Sequence, residues 1–261
     1  MKPLSHKQEI PREEFDAYVE RIVEGTLDEA FARIAIRYIE RRDAVEKQVR
    51  DLSKQAPLSF LFTKQLMDHR GRVVATVGSL EDDFDGHVVS QMSQNMSISS
   101  VFLAAVLDRA VSKFGVSEDA LVNHLIVSPL FDGEQGMFLV TAAHAYLHKD
   151  FVVAIHLYVP QIEAAIRNLV ELTGGAVLKP REGGGFHLRT LDELLRTEQV
   201  NEVLGKDEAL YFRVVLTDQR GWNIRNDVCH GTFPHQNASR VVADRLLHIL
   251  LVLAQLRNRE A

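Results

Sequence analysis

Apolar residues recur along most of the chain at steps of three and four. Phe15, Tyr18, Val19, Ile22 and Val23 trace one helical face, with Pro11 suited to a first helical position and Gly25 to a stop. Thr26 and Glu29 then have capping-box spacing, and the pattern predicts a helix through Ala30, Ile34 and Tyr38 towards Leu52, before Pro57 breaks it. The period changes in FLFTKQLMDHRGRVVATVG (60–78), where an Asp-His-Arg-Gly turn separates two segments and the second is rich in β-branched residues; this predicts a small hairpin. The acidic stretch EDDFDGH (81–87) reads as a solvated loop, because Asp82, Asp83 and Asp85 lack the twelve-residue spacing and closing Glu of a calcium loop.

Helical period resumes from Ile98 to Phe114, from Ser117 towards Ile126, from Met137 to His148 and from Asp150 to Leu172. KPREGGGFH (179–187) lacks the Lys-Ser/Thr of a phosphate-binding loop and reads as a flexible connection. A second capping box, Thr190 and Glu193, precedes Leu194 and Leu195. Helices are predicted from Lys206 towards Val215 and from Ser239 to Arg257, and no internal repeat is visible. The fold class expected is all-α, with one hairpin in the N-terminal half.

Composition narrows the function classes. With 46% hydrophobic and 25% charged residues the chain suits a water-soluble globular protein, and its net charge of -6 argues against coating nucleic acid by charge alone. A local grip on a few phosphates stays compatible with that charge. Cys229 is the single cysteine, which excludes an internal disulfide. MKPLSHKQEIPREEF lacks the apolar core of a signal peptide, so the expectation is a cytoplasmic protein with no membrane association.

Four places carry candidate chemistry. His144 and His148 stand four apart, a zinc-compatible spacing, yet Ala145 occupies the place of the zincin Glu and no third ligand is apparent; exposed or capping histidines are expected, with no metal. Cys229 beside His230 is not a thiol–base dyad, since adjacent helical residues point about 100° apart; Cys229 reads as a buried packing residue. His156, Glu163 and Arg167 fall within roughly 20° on an ideal helix. Periodicity alone favours a surface Glu163–Arg167 pair worth ~0.3–0.5 kcal/mol, against a polar seam facing another helix. The segment GWNIRNDVCHG (221–231) holds Arg225 and His230, which an ideal helix sets roughly 140° apart. Asn226 and His230 share a face, and the His-Gly step suits a helix end.

Arg225-Asn226 followed by His230 resembles the Arg-polar…His signature of the HEPN superfamily (higher eukaryotes and prokaryotes nucleotide-binding). LYVPQIEAAIRNLV (157–170) and VVLTDQRGWNIRNDVCHG (214–231) together resemble a bacterial branch of unknown function, with Ile224 where Leu is common. The resemblance covers about residues 137–257 and implies a HEPN-like helical domain over 137–261, preceded by a helical region over 1–136 with its hairpin near 60–78. It also implies a homodimer with facing motifs, and metal-independent RNA cleavage of the kind used by toxins and defence effectors.

The residue types suit that chemistry without a cofactor. Attack by a ribose 2′-hydroxyl on the adjacent phosphorus needs a base, an acid and a cation near the phosphate. His230 can exchange protons near neutrality. Arg225 can meet phosphate oxygens while staying charged, and Asn226 can orient His230 or hold a phosphate or ribose oxygen. Glu163, Arg167 and His156 are second-rank candidates for substrate binding. RNA is the expected partner, with any regulatory protein partner unspecified. The alternative implied by the same resemblance is a non-catalytic RNA- or nucleotide-binding or dimerisation module.

Overall fold

A computed structural model describes residues 10–257; the reading of residues 1–9 as free of a signal core lies outside them. The chain is mostly helical, as expected. Helices α1 (Arg12–Ile22), α2 (Leu27–Arg37), α3 (Arg42–Gln55) and a turn, α4 (Leu58–Leu61), lead into strands β1 (Lys64–Met67) and β2 (Val73–Val77). Then follow α5 (Phe84–Phe114), α6 (Glu118–Ile126), α7 (Gly133–Leu147) and α8 (Phe151–Leu172). A second pair of strands, β3 (Leu178–Pro180) and β4 (Phe186–Leu188), precedes α9 (Leu191–Leu195), α10 (Glu198–Leu204), α11 (Lys206–Leu216), α12 (Ile224–Cys229) and α13 (Arg240–Leu253). No helix among the described residues is long and apolar enough to cross a membrane.

Local chemistry explains many boundaries. Both expected capping boxes form, Thr26 with Glu29 and Thr190 with Glu193, and Ser239 stands at the N-cap of α13. The first hairpin pairs Lys64 with Val77 through Met67 with Val73, and Asp68 orders its tip by accepting from the Arg70 and Arg72 backbone N–H groups.

Three expectations need correction. The helix drawn from Thr26 towards Leu52 breaks between Arg37 and Arg42, where the Arg42 N–H is capped by the carboxylate of Asp207, a partner far along the chain. The acidic stretch 81–87 is no loop: Asp83 caps Gly86 N–H and opens α5 at Phe84, well before Ile98. The apolar face that drives this early start, Val88, Val89, Met92 and Met96, lies among serines and glutamines that dilute it. Finally, 179–187 closes an antiparallel hairpin whose tip uses Gly183, Gly184 and Gly185, all at positive φ.

The core is continuous from Val19 to Ala254 and crosses the boundary expected at 136/137. Its axis is α13, which packs on α8 from one half and on α2 and α5 from the other. His248, fully buried on α13, accepts from Tyr211 Oη–H at 2.7 Å through Nδ1 and donates through Nε2 to the carbonyls of Ile34 and Ala35 at 3.1 Å. One neutral imidazole therefore ties α11, α13 and α2 together. Burial, reinforced by the nearby Arg245 charge, pushes its pKa down to about 3.

In the unfolded chain the same ring would take a proton near pH ~6.5. Below that pH the unfolded state binds a proton that the native state refuses, so stability falls on acidification until pH approaches the folded value. Urea unfolding is expected to give a loss approaching ~1.4 kcal/mol per pH unit between pH 6 and 5 from this group. His248→Gln should remove that slope; an unchanged slope would contradict the assignment.

Candidate functional site

The segment after α11 turns back sharply. Trp222 N–H donates to Val214 O at 2.8 Å, and Gly221 lies so close that an added Cβ would sit 2.3 Å from that same oxygen. Asn223 follows at φ +53, a left-handed value that Asn tolerates better than most residues. Its Oδ1 accepts from Asn226 Nδ2 at 2.8 Å, and Asn226 Nδ2 also reaches Thr217 O at 3.2 Å. These bonds hold the start of α12, and His230 with Gly231 (φ +67) ends it. Asn226 thus pins the turn through its side-chain amide, and it meets His230 only through its backbone carbonyl, which accepts from the His230 N–H at 2.9 Å.

Glu163 lies on α8 opposite this helix and organises it. Arg225 donates to Glu163 through Nε at 2.7 Å and Nη2 at 3.1 Å, while Arg167 Nη2 approaches the same carboxylate at 2.6 Å. All three side chains are at least four-fifths buried, so the pair expected at the surface is instead the polar seam between α8 and α12. Burial pushes the Glu163 carboxyl up, but the hydrogen bonds and charges of the two arginines outweigh it and hold the group below the usual carboxylate range. Burial likewise disfavours the Arg225 charge, and the Glu163 bonds override that too. One carboxylate against two guanidiniums leaves the cluster with a net positive charge in an acidic chain. Arg225 gives a further N–H to Asn226 Oδ1 at 3.2 Å. Three of its five N–H groups are thereby engaged, leaving two.

Arg225, Asn226 and His230 all line one groove of about 1080 Å³. His230 is exposed, and its ring makes no hydrogen bond among the described residues. Arg225 and His230 therefore line the same groove, with Arg225 in the first turn of the short α12 and His230 at its C-cap. His156 does not join them. It is exposed, bonds Val152 O on its own helix at 2.8 Å, and meets Phe233 edge-on. Cys229 is exposed rather than buried, since α12 ends before its far side can pack.

Sequence reasoning missed several groove residues. Leu66, Met67, Asp68, His69 and Val74 of the first hairpin line it, as does Trp222. Arg220 also lines it, but is neutralised by Asp218 at 2.9 Å, Asp83 at 3.3 Å and Asp85 at 3.5 Å. The acidic stretch expected to be a solvated loop therefore anchors an arginine of the groove. Arg72 is likewise paired, with Asp68. No local pattern announces the pairings of Arg220 with Asp83 and Asp85.

Compared with known protein families, curated proteins and solved structures, the chain finds no match. The functional reading therefore rests on residues and geometry.

Away from the groove, Glu118 on α6 supplies what the sequence left out beside the paired histidines. His144 Nδ1 lies 2.9 Å from Glu118 Oε1, and the donor atoms of Glu118, His144 and His148 lie within 4.8 Å of one another, close enough to share an ion. His148 Nδ1 meanwhile contacts His144 O at 2.9 Å, as a capping histidine does.

Two variants test this geometry. Glu163→Gln leaves two mostly buried guanidiniums short of a countercharge and should cost about 2–4 kcal/mol at pH 7. The deficit should shrink as pH falls below ~4.5, where the unfolded-state carboxylate takes up a proton that the native one, held below its usual range, resists. Gly221→Ala forces a Cβ onto a carbonyl and should cost about 1–3 kcal/mol. Chemical denaturation measures both; a neutral Gly221→Ala would refute the turn as drawn.

Proposed function

We propose that this chain is a metal-independent endoribonuclease of the HEPN type, cleaving RNA by 2′-hydroxyl transesterification. The observation that carries this reading is the pairing of Arg225, held charged by Glu163, with an unencumbered His230 in one groove. His230 takes the 2′-hydroxyl proton. The two remaining Arg225 N–H groups meet the non-bridging phosphate oxygens, whose charge grows in the transition state. The phosphorus–2′-oxygen bond forms as the 5′-oxygen leaves with a proton, giving a 2′,3′-cyclic phosphate and a 5′-hydroxyl. In a homodimer with facing motifs, a second His230 supplies the acid. Glu163 and Arg167 act by positioning, because neither has to touch RNA to hold Arg225.

A second reading, a binding module without cleavage, has one observation in its favour. Most of Arg225's donors are already engaged in what would also serve as a structural ion pair.

Incubation with mixed RNA in EDTA separates the two. Wild type should cleave, and folded His230→Ala should lose about 10²–10⁴-fold. Arg225→Lys keeps charge but loses the planar fork, so a drop on the order of 10²-fold is expected. Asn226→Ala should act chiefly on stability, by about 1–2 kcal/mol, because its amide pins the turn. Equal cleavage by wild type and His230→Ala overturns the nuclease reading; tight binding without cleavage favours the module.

A further inference from the structure

The paired histidines of α7 lack a third partner in their own stretch of sequence, and the fold brings one from another helix. Glu118 opens α6 directly after its N-cap Ser117, while His144 lies in the last turn of α7 and His148 is its C-cap. α6 packs on α7, which sets the start of one helix beside the end of the other. Among the described residues these three are the one group of histidine, cysteine or carboxylate side chains whose donor atoms converge within 4.8 Å. None of them lines the groove that holds Arg225 and His230.

An ion pair alone leaves this arrangement half satisfied. His144 Nδ1 and His148 Nδ1 stand 2.9 and 3.9 Å from the same oxygen, Glu118 Oε1, and the two rings are tilted by 30° with centroids 4.0 Å apart. Two imidazolium rings at that separation would repel, and only one of them is within hydrogen-bond reach of the carboxylate. A divalent ion suits all three groups, because it takes both imidazoles neutral and the carboxylate charged. Ligand atoms ~2.0–2.2 Å from one tetrahedral ion stand roughly 3.3–3.6 Å apart. The two distances to Glu118 Oε1 bracket that span. His148 has only to exchange its contact with His144 O, 2.9 Å away, for the ion.

The three positions are held from behind. Ser117 Oγ accepts from Ala120 N–H at 3.2 Å and fixes the first turn of α6. After His148 the chain turns through Lys149 at φ +63, and Asp150 N–H donates to Ala145 O at 2.8 Å. Asp150 then caps α8 by accepting from Val153 N–H at 3.1 Å. Both histidine side chains are 62% exposed, so an ion can enter from solvent and keep water in its remaining position.

We propose that Glu118, His144 and His148 form a binding site for a divalent transition-metal ion of the zinc class, which ties the start of α6 to the end of α7. Two imidazole nitrogens with one carboxylate select zinc, nickel or copper over calcium and magnesium, which take oxygen ligands. Ala145 stands where a hydrolytic zinc helix carries its general base, so the ion fastens two helices and does not activate water for hydrolysis. The site is independent of the ribonuclease reading: EDTA that empties it leaves Arg225 and His230 in place.

The test titrates zinc chloride into the untagged full-length protein by calorimetry, in a buffer that does not chelate, with calcium chloride as the comparison. Zinc should bind at one ion per chain and raise Tm by about 2–5 °C at roughly tenfold excess over Kd, and calcium should do neither. His144→Ala, His148→Ala and Glu118→Gln change exposed or half-buried side chains and should keep the metal-free Tm. Each should weaken zinc binding by about 10–100-fold or more. No binding at millimolar zinc, or a calcium response equal to that of zinc, overturns the proposal. So does wild-type zinc affinity in all three variants, which would place the ion on other residues.

Discussion

A single carboxylate, Glu163, has to serve two arginines in a space that admits little water. That constraint organises the site. Withdrawing an acid from solvent is unfavourable, and here the charged form survives only because Arg167 and Arg225 both donate to it. Arg225 is thereby fixed in direction before any ligand arrives. The trio itself carries a surplus positive charge, although the groove that Arg225 lines also holds Asp68, Asp192 and Asp227. Asn226, tied to Asn223 and Thr217, keeps α12 from drifting off this partner.

The frame behind Glu163 is equally determined. α8 is packed between α7 and α13, and α13 in turn holds α2 and α5, so helices from both halves of the chain share one core. His248 links three of them through a single neutral ring. The hairpin near residue 70 leads directly into α5, and α11, the helix that precedes the turn to α12, packs on α5. Arg220 completes the attachment by bridging Asp218 in the turn to Asp83 and Asp85 at the start of α5.

Features with local causes were legible in the sequence. The capping boxes at Thr26 and Thr190, the first hairpin, the start of α8 at Asp150 and the helix end at His230-Gly231 all follow from short-range rules. Features decided by distant partners were not. Nothing near Arg42 signals that Asp207 will cap it, and helical spacing cannot tell a surface Glu163–Arg167 pair from a seam closed by Arg225. The start of α5 escaped notice because its buried face is diluted by serines and glutamines. Asn226 was expected to orient His230 or to hold a phosphate or ribose oxygen, whereas its side-chain amide bonds the turn. The hairpin's share in the groove was invisible for another reason: alternation in a strand says which residues share a face, not what faces them.

The most direct test of the chemistry removes the one atom that the mechanism cannot do without. Once a cleavage site has been mapped in an RNA oligonucleotide in the presence of EDTA, the same oligonucleotide is made with a single 2′-deoxyribose on the 5′ side of that phosphate. Attack by the 2′-oxygen requires that this phosphate resist cleavage while the all-ribose control yields a 2′,3′-cyclic phosphate end. Undiminished cleavage at the deoxy position would contradict the account, since the nucleophile would then be water rather than the RNA itself.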